Sequence, residues 1–168
     1  MRRIIVALVS MMLSVVGVSA QNYMVVDSEK VFKSLSTYNN ALGQIEQLST
    51  QYQAKVDAKF QEVERLYNSY MQQRAALSEA TRQQREQQIL QKEQEATEYQ
   101  ESIFGTDGEL MKKRMELIQP IQQKVFSTIE RYASQYGYDL VIDISANPTV
   151  LYYSSKVDYT QQIINALR

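Results

Sequence analysis

ALGQIEQLSTQYQAKVDAKFQEVERLYNSYMQQRAAL, residues 41–77, decides how this chain folds. Within it, Leu42, Ile45, Tyr52, Val56, Phe60, Val63, Tyr67 and Tyr70 recur at steps of three, four or their sums. At 100° per residue they share a sector of roughly 120°, the pattern of an amphipathic helix. At about 1.5 Å per residue this helix is roughly 55 Å long, too long to be wrapped within a small domain. The pattern breaks at Leu77-Ser78-Glu79. Ser78 suits an N-cap, because its hydroxyl can accept an amide left unpaired at a helix start. A second periodic run follows through Ile89, Tyr99, Ile103, Met111, Met115, Ile118, Ile121, Val125, Ile129 and Tyr132. Helices joined by so short a break run antiparallel. The two stripes are expected to cover each other. The aromatic residues Tyr52, Phe60, Tyr67 and Tyr70 fit that seam, with contact to a bound partner as the rival reading.

Outward from the break, residues 78–98 hold Ala80, Ile89, Leu90 and Ala96 as their only apolar side chains. A helix polar nearly all round belongs in solvent, so this part is expected to be a projecting arm. Past Gly108 the apolar face widens to about half the helix, so residues 110–129 are expected to pack on more than the hairpin partner. Pro120 is expected to kink that helix or end one turn of its bonding. Gly105 and Gly108 interrupt the same pattern, each costing about 1 kcal/mol relative to Ala. Folding the chain at Leu77-Ser78 sets Gly105 opposite Ser49-Thr50, another weakly helical pair. A hinge is therefore expected at Gly105 and Gly108, and replacing both with Ala is expected to raise thermal stability.

The flanks are shorter. Tyr23 to Val26 reads as a strand, and Asp27-Ser28 as the cap of a short helix burying Val31, Phe32 and Leu35. Gly137 suits a helix end in the left-handed conformation. Residues 138–143 read as a strand with Tyr138, Leu140 and Ile142 on one face and Asp139, Val141 and Asp143 on the other. Asn147-Pro148 marks a turn, and Val150 to Tyr153 reads as a second strand completing a hairpin. A final helix carries Ile163, Ile164 and Leu167, capped by Asp158 or Thr160. The expected class is α+β: a small antiparallel β body, residues 21–40 and 110–168, bearing a helical arm, residues 41–109. Short strands with open edges make oligomerisation through the sheet end the economical solution.

The 168 residues allow one domain. Arg2-Arg3, the apolar run Ile4 to Val18, and the small residues at 18 and 20 have the order of a secretory signal peptide, with cleavage expected after Ala20. Losing Arg2 and Arg3 takes the basic residues from 18 to 16 against 19 acidic, a net charge near −3, which argues against nucleic-acid binding by bulk charge. The chain has no Cys and no His. Disulfides, Cys or His nucleophiles, a His base and His/Cys metal sites are therefore excluded. Asp139 and Asp143 would stand roughly 13 Å apart along the strand, too far for a carboxylate pair in glycoside hydrolysis. Gly105-Thr106-Asp107-Gly108 lacks the Gly-Lys-Ser/Thr ending of a phosphate loop. No enzyme, metal or cofactor is expected. Arg74, Arg82 and Arg85, with Arg65 nearby, make the turn basic, Glu79 being the only acid between 65 and 85. This suits acidic partners or weak contact with anionic lipid head groups; the plain alternative is a solvated face.

Residues 26–32, 116–121, 137–143, 150–153 and 158–160 read VDSEKVF, ELIQPI, GYDLVID, VLYY and DYT. Their order, with a leading signal and helical arms between, resembles the Skp (OmpH-like) family of periplasmic chaperones across the whole mature chain. The resemblance implies a homotrimer with a small β body and three helical tentacles around a cavity. There, unfolded outer-membrane proteins would be held without ATP until insertion. It also implies periplasmic localisation. Val25, Leu140, Ile142 and Leu151 are the residues expected at the trimer core. Well-known members are strongly basic, whereas this chain is mildly acidic. The rival reading of the same fold is a coiled-coil envelope spacer or adaptor with no client.

Overall fold

Met24, Val25 and Val26 are all buried, an unbroken apolar run rather than the alternation of a strand with one wet face. Such a run suits a strand flanked on both sides and covered on both faces. In chain order the elements are β1 (Tyr23–Val26), α1 (Ser28–Ser34), α2 (Ser36–Gln73), a 3-10 turn (Arg74–Ala76), α3 (Glu79–Phe104), α4 (Glu109–Tyr136), β2 (Leu140–Asp143), a second 3-10 turn (Ser155–Val157) and α5 (Thr160–Ala166). The structure, a computed structural model, describes residues 22–168. The expected signal peptide lies outside them.

The chain divides into two compact units: residues up to Ser34 with Val125–Arg168, and Leu35–Lys124. In the first, β1 pairs with β2 in parallel, Tyr23 opposite Leu140 through Val26 opposite Asp143. The expected antiparallel body is therefore corrected. Parallel pairing needs a long crossover, and the helices between β1 and β2 supply it. Val150 to Tyr153 forms no strand. A strand needs a neighbour, and the free edge of β1 is already taken by Asp158, bridged to Val25, and by the Tyr159 amide, which donates to the Val25 carbonyl at 2.9 Å. Leu151 and Tyr152 are left 94% and 85% exposed. The turn before them forms as expected, with the Thr149 amide donating to Asn147 Oδ1 at 3.1 Å.

Around β1 the core adds Val31 of α1, Val125 and Ala133 of α4, Ile163 and Ile164 of α5, and Leu167. Phe32 and Phe126 meet edge-on, centroids 6.1 Å apart. The Asp27 carboxylate accepts the Lys30 amide at 3.0 Å and caps α1. At the other end, Gly137 takes φ 71°, and the Tyr138 amide donates back to the Ala133 carbonyl at 2.9 Å. That is the left-handed helix stop for which glycine is suited. The Asp158 carboxylate accepts the Thr160 amide and hydroxyl at 3.0 and 2.6 Å, fixing the start of α5.

In the second unit α2 and α3 fold back on each other. Tyr70, late in α2, meets Glu86, early in α3, and Lys59 sits 5.0 Å from the Tyr99 ring centroid. Ser78 is the N-cap of α3, its hydroxyl accepting the Thr81 amide at 3.3 Å. The second helix is not continuous: α3 ends at Phe104 and α4 begins at Glu109. α2 runs unbroken through Ser49 and Thr50. α4 continues through Pro120.

Candidate functional site

The expected aromatic seam divides in two. Tyr70 is buried and Tyr52 half-buried. Each phenol donates across the hairpin to a carboxylate, Tyr70 to Glu86 and Tyr52 to Glu109, the latter at 2.6 Å. These bonds hold both phenols protonated, raising their pKa above the usual tyrosine value. Phe60 and Tyr67 instead remain 36% and 50% exposed. Two helices share a line of contact narrower than a 120° stripe, so the outer residues stay open. Val56, Ala96 and Ile103 complete the dry part of the pair. Opposite charges also face each other across it: Glu62 attracts Lys92, and Lys59 attracts Glu95.

At the turn, Arg74 opens the 3-10 segment and is exposed, as is Arg85 on α3. Arg82 has a structural task. Its Nε donates to the Leu77 carbonyl at 3.1 Å, and its guanidinium lies 3.7 Å from Glu79. The three arginines thus occupy one end of the hairpin, where Arg74 also reaches the Tyr70 hydroxyl.

Gly105 leaves helical geometry at φ −63°, ψ 171°. Its amide closes α3 by donating to the Glu101 carbonyl, and the Gly108 amide donates to the Gly105 carbonyl, at 2.8 and 2.9 Å. The turn is tight. A Cβ on Gly105 would lie 2.5 Å from the Glu101 carbonyl oxygen, and one on Gly108 would strike the Ile103 carbonyl oxygen. Both obstacles are backbone, so the expected gain from alanine is corrected to a loss. The glycines permit a tight turn between two successive helices and are not merely weak helix formers.

Among the described residues of the first unit, β2 has a strand neighbour on one side only. Val25 belongs to the chain's own core, Ile142 is half-buried, and Leu140 and Leu151 are 55% and 94% exposed. Of the four residues expected at the trimer core, Val25 and Ile142 are thus register partners across the strand pair, while Leu140 and Leu151 lie open, because an edge strand leaves its outer side chains uncovered. Beside Leu140 and Val141 lies an open groove of about 570 Å³, walled by Phe126, Ile129 and Ala133 of α4 and by Tyr138. Tyr132, Tyr136, Tyr138 and Tyr159 gather nearby, with ring centroids 4.5 to 6.1 Å apart. Sequence reading missed this cluster. Only the crowding of tyrosines over residues 132–138 hinted at it, and Tyr159 arrives by folding. A hydrogen bond to Tyr159 first, then burial, pushes the Tyr138 phenol up to about 12.

The strand carboxylates do not converge. Asp139 accepts the Asn22 amide at 3.3 Å, whereas Asp143 accepts the Ser28 hydroxyl and amide and the Ser145 amide. Among the described residues no group of three or more acidic side chains is placed to hold a metal ion, and no helix is long and apolar enough to cross a membrane.

Comparison with known proteins agrees with this architecture. No curated protein matches the chain. Among solved structures, that of a candidate outer membrane chaperone (OmpH-like) from Caulobacter crescentus superposes with a TM-score of 0.70. The match covers 90% of this chain and 86% of that one at 10% identity, a likeness of fold. Residues 22–167 match the family described as outer membrane protein (OmpH-like), and the chain therefore belongs to the OmpH-like family.

Proposed function

We propose that this protein is a periplasmic, ATP-independent holdase. It is exported, cut after Ala20, and keeps unfolded outer-membrane proteins from aggregating before insertion. Chains associate as a homotrimer through the uncovered edge of β2, and the helical hairpins flank the bound client. Nothing is catalysed, and neither cofactor nor nucleic acid takes part.

The observation that carries this reading is the amount of large apolar surface left open on a family member of this size. Leu140, Leu151, Tyr152, Phe126 and Tyr136 stand between 55% and 94% exposed on the first unit. Phe60, Tyr67, Met111 and Met115 are open on the second. Surface of this kind marks association or ligand contact rather than an isolated soluble chain. An edge strand beside an apolar groove supports self-association, and adaptable side chains along helices support loose, multivalent binding.

Dilution of a urea-unfolded β-barrel protein into buffer tests the reading. Suppressed aggregation at about one trimer per client is the expected result, whereas an envelope spacer of the same fold leaves aggregation unchanged. Light scattering tests the assembly: Leu140→Asp with Leu151→Asp should shift the mass from trimer towards monomer. An unaltered trimer would place the contact elsewhere.

A further inference from the structure

One surface of the second unit is unaccounted for by the hairpin seam. Met111, Arg114, Met115 and Ile118 follow one another at helical steps along the first half of α4, and with Gln119 and Gln122 they line a groove of about 370 Å³. Met111 and Met115 are 42% and 52% exposed. Met111 and Arg114 also wall a second recess, of about 120 Å³, which reaches Ile103 and Leu110. The guanidinium of Arg114 has no ion pair among the described residues, although Lys113 beside it is held by Glu116 at 2.7 Å.

We propose that this stripe grips extended, unfolded segments whose side chains alternate apolar and polar, and that Arg114 favours segments carrying a carboxylate. The inference rests on the chaperone reading and names where and what it holds. Spacing supports it. Along a helix, residues four apart are about 6 Å apart. Along an extended strand, alternate side chains are about 6.6 Å apart. The apolar teeth of an alternating segment therefore fall between Met111 and Met115, and then near Ile118. Thioethers adapt to side chains of differing shape. A guanidinium presents forked donors to a carboxylate. Two other occupants fit badly. A second copy docked about a two-fold axis through this groove would bring two Arg114 side chains together in apolar surroundings. The chain's own leading twenty residues carry Arg2 and Arg3 and no acid, so they would bring cation to cation.

Two fluorescent twelve-residue peptides, alternating Leu with Ser, serve as probes for the full exported chain. One carries two Asp in place of Ser, the other two Lys. Anisotropy at low salt should show the Asp peptide binding roughly fivefold tighter. Arg114→Gln should remove that preference. Met111→Ser with Met115→Ser should weaken both peptides roughly tenfold, while Met115→Leu should retain binding and unchanged circular dichroism should confirm the fold. Equal binding of the two peptides, or full binding by the double Ser variant, would overturn the proposal. A photo-cross-linker at position 115 that traps a second copy instead of peptide would do the same. The urea-dilution assay separates the two readings. If wild-type protein suppresses aggregation and the double Ser variant does so equally well, the stripe assignment falls while the holdase stands. If wild-type protein suppresses none, the holdase reading falls first.

Discussion

Ser28 and Asp143 are joined twice: the Ser28 hydroxyl and amide donate to the two carboxylate oxygens of Asp143 at 2.6 and 3.1 Å. Ser28 begins α1 and Asp143 ends β2, so the contact ties the amides at a helix start to the end of the paired strand. A carboxylate at that place also meets the positive end of the helix dipole. Ser145 adds its amide at 3.0 Å.

Desolvation pushes the Asp143 carboxyl up, but the hydrogen bonds from Ser28 and Ser145 outweigh it and hold the pKa below the ordinary 3.8. A carboxylate depressed in the folded state stabilises the protein above its unfolded pKa and loses that contribution as pH falls through the folded value. Asp143→Asn should therefore cost about 1–2 kcal/mol at pH 7, at the lower end because solvent reaches the site. The difference in urea midpoint between wild type and variant should shrink as pH falls below 3.8 and vanish once the carboxyl is protonated in the folded state as well. A constant difference down to pH 2 would mean shape, not charge, matters there.

Tyr138 titrates in the opposite sense. Its neutral phenol is favoured in the folded state, which sets its pKa at about 12. That contribution is complete below about pH 10 and is lost as pH rises through the folded value. Tyr138→Phe should leave the melting temperature less sensitive to pH between 10 and 12 than wild type. The chain contains 12 tyrosines, so a bulk absorbance titration does not isolate one. The difference titration between wild type and variant at 295 nm should show one group missing from the most alkaline part. A missing group near pH 10 would mean that the bond to Tyr159 is broken in solution.

At the turn between α3 and α4, Gly105→Ala and Gly108→Ala should each lower stability by roughly 1–3 kcal/mol, the range for a forced backbone shift. Thermal melts followed by circular dichroism check this. If either variant melts higher than wild type, the turn is loose enough to act as the pivot that helix propensity alone suggests. Spin labels at residue 78 on neighbouring copies would then show a narrower distance distribution in that variant.

The turn arginines should separate by role. Arg74→Gln with Arg85→Gln should reduce binding to phosphatidylglycerol vesicles at low salt with only a small fall in melting temperature, from the lost contact between Arg74 and Tyr70. Arg82→Gln should lower the melting temperature as well, because it removes the bond to the Leu77 carbonyl. If the Arg74 and Arg85 pair changes nothing in vesicle binding, those side chains are simply a solvated face.

Helix positions, the Ser78 cap, the Gly137 stop and the polar arm were legible in the sequence. Each depends on residues within about one helical turn, where periodicity and capping act. The sequence by itself therefore determined long helical segments between short flanking elements, although periodicity ran α3 and α4 together. Tertiary structure alone decided what those elements meet. β1 lies beside β2 and Asp158 because the chain returns after more than a hundred residues, and no local pattern states which strand edge will be free when it does. The same return made β1 parallel to β2, left Leu151 exposed, brought Tyr159 to Tyr138 and gave Asp143 to Ser28. The Gly105–Gly108 turn shows the limit most plainly. Propensity counts what a glycine lacks within a helix, whereas its effect here depends on the carbonyls of Glu101 and Ile103, placed only once the chain has turned.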